Sequence, residues 1–210
     1  MNHLAHARLA AEPPLLLAGN LAGDFVKGRL DRLPPTPLLA GIRMHRRIDS
    51  FTDRHPVWRR SRLRVAPRRV SGIIVDVAYD HFLANHFDAF SDVSLEIFAA
   101  RAYRILLDHR PLLPPRLRDL VPRIVAEDWF VSYRWLEGVE RTFGRLARRV
   151  ADLAGATEEI RARYRPLEAD FLEFYPQLAA FAVGPARDGP EFPPAPASVR
   201  AARSRAPKPG

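Results

Sequence analysis

The chain has 210 residues, 47% of them hydrophobic, and carries a formal charge of +9. That is one domain of ordinary size with material for a real core, and the absence of cysteine excludes disulfides and thiolate metal sites. No stretch approaches the roughly 20 apolar residues of a membrane span, and His3, His6, Arg8 and Glu12 break up the start where a secretory signal would lie, so a cytoplasmic protein is expected.

Nearly all of the positive charge is arginine; Lys27 and Lys208 are the only lysines. One concentration is Arg59, Arg60, Arg62, Arg64, Arg68 and Arg69, and another lies near the C-terminus. The first patch suits an acidic partner, either protein or nucleic acid; the alternative is a solvated basic face.

In chain order, His3 to Ala11 reads as a short helix stopped by Pro13 and Pro14. Leu15 to Leu30 reads as a second helix, with Asn20, Asp24 and Gly28 sharing a stripe with Leu17. After Pro34-Pro35, Thr36 and Pro37 start a helix to about Arg54 that carries His45, Asp49 and Thr52 on the stripe of Leu38 and Ile42. Pro56 opens the basic segment, and Pro67 opens a long helix holding Asp76 to His86. On that helix Asp76 and Asp80 lie one turn apart on a stripe with Ile73, Leu83 and Phe87, and His81 and His86 flank it. Amphipathic helices follow at Leu95 to Asp108, Leu117 to Ala126, Asp128 to Ala151, and from Thr157 to about Phe181. From residue 184 on, proline, alanine and arginine dominate, which predicts a disordered tail. With no alternating strand pattern, the expected fold is all-α: one irregular helical bundle over residues 1–183.

Acidic and imidazole groups on apolar stripes are costly unless something compensates them. They recur on separate helices: His3 and His6, then Asp24, then His45 and Asp49, then Asp76, Asp80 and His81. If these stripes face one core, the groups converge. A histidine and carboxylate set without thiolates suits Mn²⁺, Mg²⁺ or Fe²⁺, an ion able to acidify water and polarise a phosphoryl oxygen. The alternative is a buried salt-bridge network with Arg46 and its neighbours. His3 and His6 stay open between ligand and core, His55 and His86 read as core, and Asp53 as a partner of Arg54 or Arg47. There is no Gly-rich phosphate loop, no G-x-S-x-G and no H-E-x-x-H.

Four blocks carry a resemblance: Met-Asn-His-Leu-Ala-His at 1–6, Gly-Asn-Leu-Ala-Gly-Asp-Phe-Val-Lys-Gly at 19–28, Gly-Ile-Arg-Met-His-Arg-Arg-Ile-Asp-Ser-Phe-Thr-Asp at 41–53, and Asp-Val-Ala-Tyr-Asp-His-Phe-Leu at 76–83. Together with Phe-Tyr-Pro at 174–176, they resemble the acyl carrier protein phosphodiesterases over roughly residues 1–180. The resemblance implies a helical fold akin to the HD phosphohydrolases, a divalent ion, usually Mn²⁺, and removal of 4′-phosphopantetheine from holo acyl carrier protein. No literal His-Asp dyad is present; Asp80-His81 is the nearest pair, in reverse order. The family motifs fall on Asp24, His45, Asp49, Asp76, Asp80 and His81.

The resulting expectation assigns Asp24, His45, Asp76 and Asp80 as metal ligands. Asp49 orients His45 or acts as base, Arg46 or Arg47 neutralises the phosphoryl oxygens, and His81, a further ligand candidate, or a metal-bound water protonates the leaving serine oxygen. The arginines from 59 to 69 become a docking surface for the acidic carrier. Two rivals remain: a metal-dependent hydrolase of nucleotides or other small phosphoesters, and a non-enzymatic helical module that binds nucleic acid.

Overall fold

The computed structural model describes residues 2–184. The tail expected to be disordered lies, apart from Gly184, outside the described residues. Among the described residues there are helices and no strand, as an all-α bundle requires. The α-helices are α1 (His3–Leu9), α2 (Pro14–Ala22), α3 (Leu39–Arg54), α4 (Pro56–Arg64), α5 (Ser71–Asn85), α6 (Leu95–Asp108), α7 (Pro115–Ala126), α8 (Trp129–Ser132), α9 (Leu136–Ala147), α10 (Ala156–Ala162) and α11 (Tyr164–Val183). None of them is long and apolar enough to cross a membrane.

Helix α5 is the axis of the bundle. From Ile74 to Ala84 nearly every side chain is buried, because α1, α4, α9, α10 and α11 pack around it. Its expected stripe splits along its length. Asp80, Leu83 and Phe87 are buried, whereas Ile73 is 37% exposed and is not a core residue. Ser71 is buried at the start of α5, but Gly72 and Ile73 turn outward before the helix enters the core at Ile74.

Helices α2 and α3 cross in tight contact because Gly19 and Gly41 face each other. A Cβ on Gly41 would collide with the Leu16 carbonyl, and one on Gly19 with the Leu38 carbonyl. Only glycine permits that approach, and it brings the polar face of α3 against α2.

Several expected helices divide. The second ends at Ala22, continues as a 3-10 turn over Gly23–Phe25, and is stopped well before Leu30, with Gly28 in the left-handed region at φ 88°. The helix expected from Asp128 breaks between Ser132 and Leu136, giving α8 and α9. The helix expected from Thr157 is two, because Arg163 leaves the helical region at φ −125°. The basic segment after Pro56 is itself a helix, α4, capped by the His55 side chain, which accepts the Val57 N–H at 3.2 Å.

Candidate metal centre

Helix α1 is seven residues long, too short to hold its place by local hydrogen bonds. It is fastened from outside. Asp80 of α5, with no solvent exposure, accepts the Leu4 N–H at 2.7 Å and the Ala5 N–H at 3.0 Å. Those amides are among the donors that a helix start leaves without partners, and a carboxylate is the acceptor that the helix dipole favours. Burial pushes the Asp80 carboxyl up to about 7, even against these two amide bonds.

So fixed, α1 aims His6 at α2 and α3. The His6 ring stacks on that of His45 with centroids 4.1 Å apart. His6 Nε2 lies 3.2 Å from Asp49 Oδ1, and His45 Nε2 lies 3.0 Å from Asp49 Oδ2 and 3.4 Å from Asp24 Oδ1. Both imidazoles are buried, while the carboxylates of Asp24 and Asp49 are 52% and 41% exposed. The centre is therefore a half-closed bowl: imidazoles at the base, carboxylates at the mouth. Two local features orient His45. It lies one helical turn before Asp49 on α3, and its ring lies flat against Gly23, where a Cβ would overlap it.

Electrostatics bind the four groups together. Burial pulls the His45 imidazolium down, but its bonds to Asp24 and Asp49 outweigh this and raise it to about 9. Burial pushes Asp24 and Asp49 up. The bond from His45 prevails and holds both well below the usual carboxylate range. Burial keeps His6 below its ordinary value.

The fit to a cation rests on His6. Its Nδ1 faces Asn20 Oδ1 at 2.7 Å, so Nδ1 carries the proton and donates it to Asn20. Nε2 then presents a bare lone pair to Asp49 and is buried without a hydrogen-bond partner. Two acceptors facing each other at 3.2 Å call for a positive charge between them. His6, His45 and Asp49 each offer one ligand atom, all within 4.8 Å of one another. Asn20 supplies the outer bond that ligand histidines commonly make.

The other residues singled out in the sequence lie elsewhere. Asp76 accepts the Trp58 indole N–H at 3.0 Å, and both oxygens of Asp80 are taken up by α1. His81 faces the Tyr133 carbonyl through Nδ1 at 2.7 Å and the Tyr164 hydroxyl through Nε2 at 2.9 Å. Arg46 donates to the carbonyls of Gly28 and Val26, bracing the loop that follows Asp24. Arg47 lies over the Phe181 ring, 5.2 Å from its centroid. His86 pairs with Glu168 at 3.0 Å.

The basic segment is partly neutralised. Arg60 and Arg64 pair with the buried Asp170 of α11, Arg60 also with Glu173, and Arg69 with Asp152. Arg62 covers the Trp58 ring, and together with Arg59, Arg68 and Leu63 it borders a shallow cleft. His6 and Asn20 are the centre's residues that spacing alone left open; the one-turn interval between His3 and His6 was the available signal.

The profile of the acyl carrier protein phosphodiesterases matches residues 1–178. The chain belongs to that family. Relatives named acyl carrier protein phosphodiesterase come from Serratia proteamaculans and Yersinia pestis, each 39% identical over 85% of this chain and 95% of the relative. A relative of the same name from Escherichia coli O157:H7 is 37% identical over 86% of this chain and 96% of its own length. No solved structure matches the chain. The phosphodiesterase family match spans α1 to α3 and α5, and with them every residue of the centre.

Proposed function

We propose that this chain is a metal-dependent phosphodiesterase that removes 4′-phosphopantetheine from holo acyl carrier protein, leaving the apo carrier. The observation that carries it is the bare Nε2 of His6 set against Asp49 beside His45 and Asp24, in a chain whose relatives bear that enzyme's name. His6, His45 and Asp49 would hold the ion, with Asp24 at the mouth as the fourth ligand. Asp80 is then the anchor of α1 and Asp76 a partner of Trp58, in place of the ligand roles expected for them. The donor set suits Mn²⁺, with Mg²⁺ or Fe²⁺ as alternatives.

When bound, a divalent ion supplies Lewis acidity, polarising a phosphoryl oxygen and making water more acidic. The chain does the rest. A water oxygen forms the new bond to phosphorus, the bond from phosphorus to the serine oxygen breaks, and the serine oxygen takes up a proton. Asp24, held deprotonated at the mouth, takes the proton that the water gives up on the oxygen turned away from His45 and passes it to the serine oxygen. Asn20 and Gly23 keep the two imidazoles in register. His81, with both ring nitrogens engaged, packs α5 against α8 and α11. Arg59, Arg62 and Arg68, the members of the basic segment outside the ion pairs to Asp170, Glu173 and Asp152, meet the acidic carrier and speed its encounter.

The test is incubation of holo acyl carrier protein with the protein and Mn²⁺, read by intact mass. The carrier should lose the mass of the arm, and a chelator should prevent the loss. An unchanged carrier mass with Mn²⁺ present refutes the assignment.

A further inference from the structure

Beside the centre a cleft of about 340 Å³ opens between the start of α1 and the pair α8 and α9. That is within the usual range of small-ligand sites, roughly 300–1,000 Å³. Two of its wall residues tie it to the centre. Phe25 follows Asp24 in the chain, and His3 lies one turn before His6 on α1. The opposite wall is Trp129, Tyr133, Thr142 and Arg145, and Arg148 and Arg149 stand exposed at the rim.

We infer that this cleft holds the pantetheine arm while the phosphodiester lies at the His6, His45 and Asp49 centre. The inference rests on the proposed reaction and adds the residues that read the arm. The arm is a flexible chain with a branched apolar segment, a hydroxyl and two amides, ending at an anionic phosphate. The cleft matches each part. Phe25, Leu120, Trp129 and Leu146 offer apolar wall. The Tyr133 hydroxyl, which accepts from Asn2 and keeps a proton to donate, and the guanidinium of Arg145 offer polar partners for amides. The arginine rim favours an anionic ligand.

Arg145 is held in place by its neighbours. Its guanidinium lies 4.2 Å over the Trp129 ring, pairs with Glu127 at 2.9 Å and donates to Thr142 Oγ1 at 2.8 Å. It is 17% exposed. Those two contacts take two of a guanidinium's five N–H donors. A side chain already fixed on three sides loses little further freedom when a ligand arrives. The His3 ring stacks on Trp129 with centroids 6.1 Å apart.

The chain's three tryptophans make a direct test possible, because Trp129 lines the cleft and Trp58 and Trp135 do not. Pantetheine 4′-phosphate titrated into the full chain should shift the Trp129 indole N–H resonance saturably and leave the other two in place. Inorganic phosphate should leave Trp129 unmoved. Leu146→Trp, which fills the cleft, should raise the half-saturation concentration roughly tenfold or more, whereas Leu146→Met should not. A stationary Trp129 signal in the unaltered protein, the same shift with phosphate alone, or unchanged binding in a folded Leu146→Trp variant overturns the cleft assignment. Arm release from the holo carrier is followed in parallel. A Trp129 shift without release refutes the reaction and keeps the cleft as a site for this ligand; release without a shift refutes the cleft and keeps the reaction.

Discussion

Asn20 receives the Nδ1–H of His6 at 2.7 Å, and that bond decides which face of the imidazole meets Asp49. Removing it frees the tautomer and the ring angle without touching a carboxylate. Asn20→Ala should therefore weaken Mn²⁺ binding by about 10–100-fold, the usual cost of losing such an outer bond. Calorimetric titration would show this, and excess Mn²⁺ should restore most of kcat. Wild-type activity at limiting Mn²⁺ would contradict the role. His45 is more exposed to loss, because its Nε2 lies against two carboxylates at once. His45→Ala should reduce arm release by about 100-fold or more at any Mn²⁺ concentration. Full activity in that variant would place the reaction elsewhere.

The first helix depends on the fifth. Asp80 holds the Leu4 and Ala5 amides from a fully buried position, so Asp80→Ala leaves two buried donors unpaired. The expected cost is about 1–3 kcal/mol by denaturant unfolding, with His6 loosened as a consequence. A neutral unfolding cost would show that α1 is held by other contacts. Close packing sets a similar demand on α2 and α3: Gly41→Ala forces a Cβ into the Leu16 carbonyl and should cost about 1–3 kcal/mol by the same measurement.

At this scale the sequence was informative where periodicity and capping agreed. Leu95 to Asp108 is found as read, and the helix expected from Pro37 is displaced only at its start. The break between Ser132 and Leu136 carries no glycine or proline, so nothing local announced it, whereas Pro166 in the first turn of α11 was the local signal for the break at Arg163. Asp80 has a physical partner that its position on a stripe does not reveal. A carboxylate on a core stripe must be compensated, but main-chain amides do that as well as a metal, and composition does not distinguish them. The approach of His45, Asp49 and Asp24 to one another was legible because they lie close in sequence and on stripes that meet. His6 needed the crossing of α1 over α2 to acquire its meaning.

Across the whole molecule, charge joins distant segments. Asp170 of α11 gathers Arg60, Ser61 and Arg64 of α4 around a buried carboxylate. Burial pushes Asp170 up, but its bonds from Arg64, Arg60 and Ser61 outweigh this and hold it below the usual carboxylate range. The folded chain then binds fewer protons than the unfolded one near the ordinary value of about 3.9. Stability from this group is complete above that value and is lost as pH falls through the lower, folded one. Asp170→Asn should lower stability at neutral pH by about 1–3 kcal/mol and flatten the acid limb of the Tm profile. An unchanged acid limb would exclude this node from the pH response.

The centre and its anchor can be told apart in one experiment: arm release from holo acyl carrier protein by Asp49→Asn and Asp80→Asn, side by side, over a range of Mn²⁺ concentrations. Asp49→Asn should release no arm at any concentration while remaining folded. Asp80→Asn, which keeps one acceptor for α1, should stay within about tenfold of the unaltered protein. An active Asp49→Asn beside an Asp80→Asn that no Mn²⁺ concentration rescues would put the metal on α5 and contradict the His6, His45 and Asp49 centre.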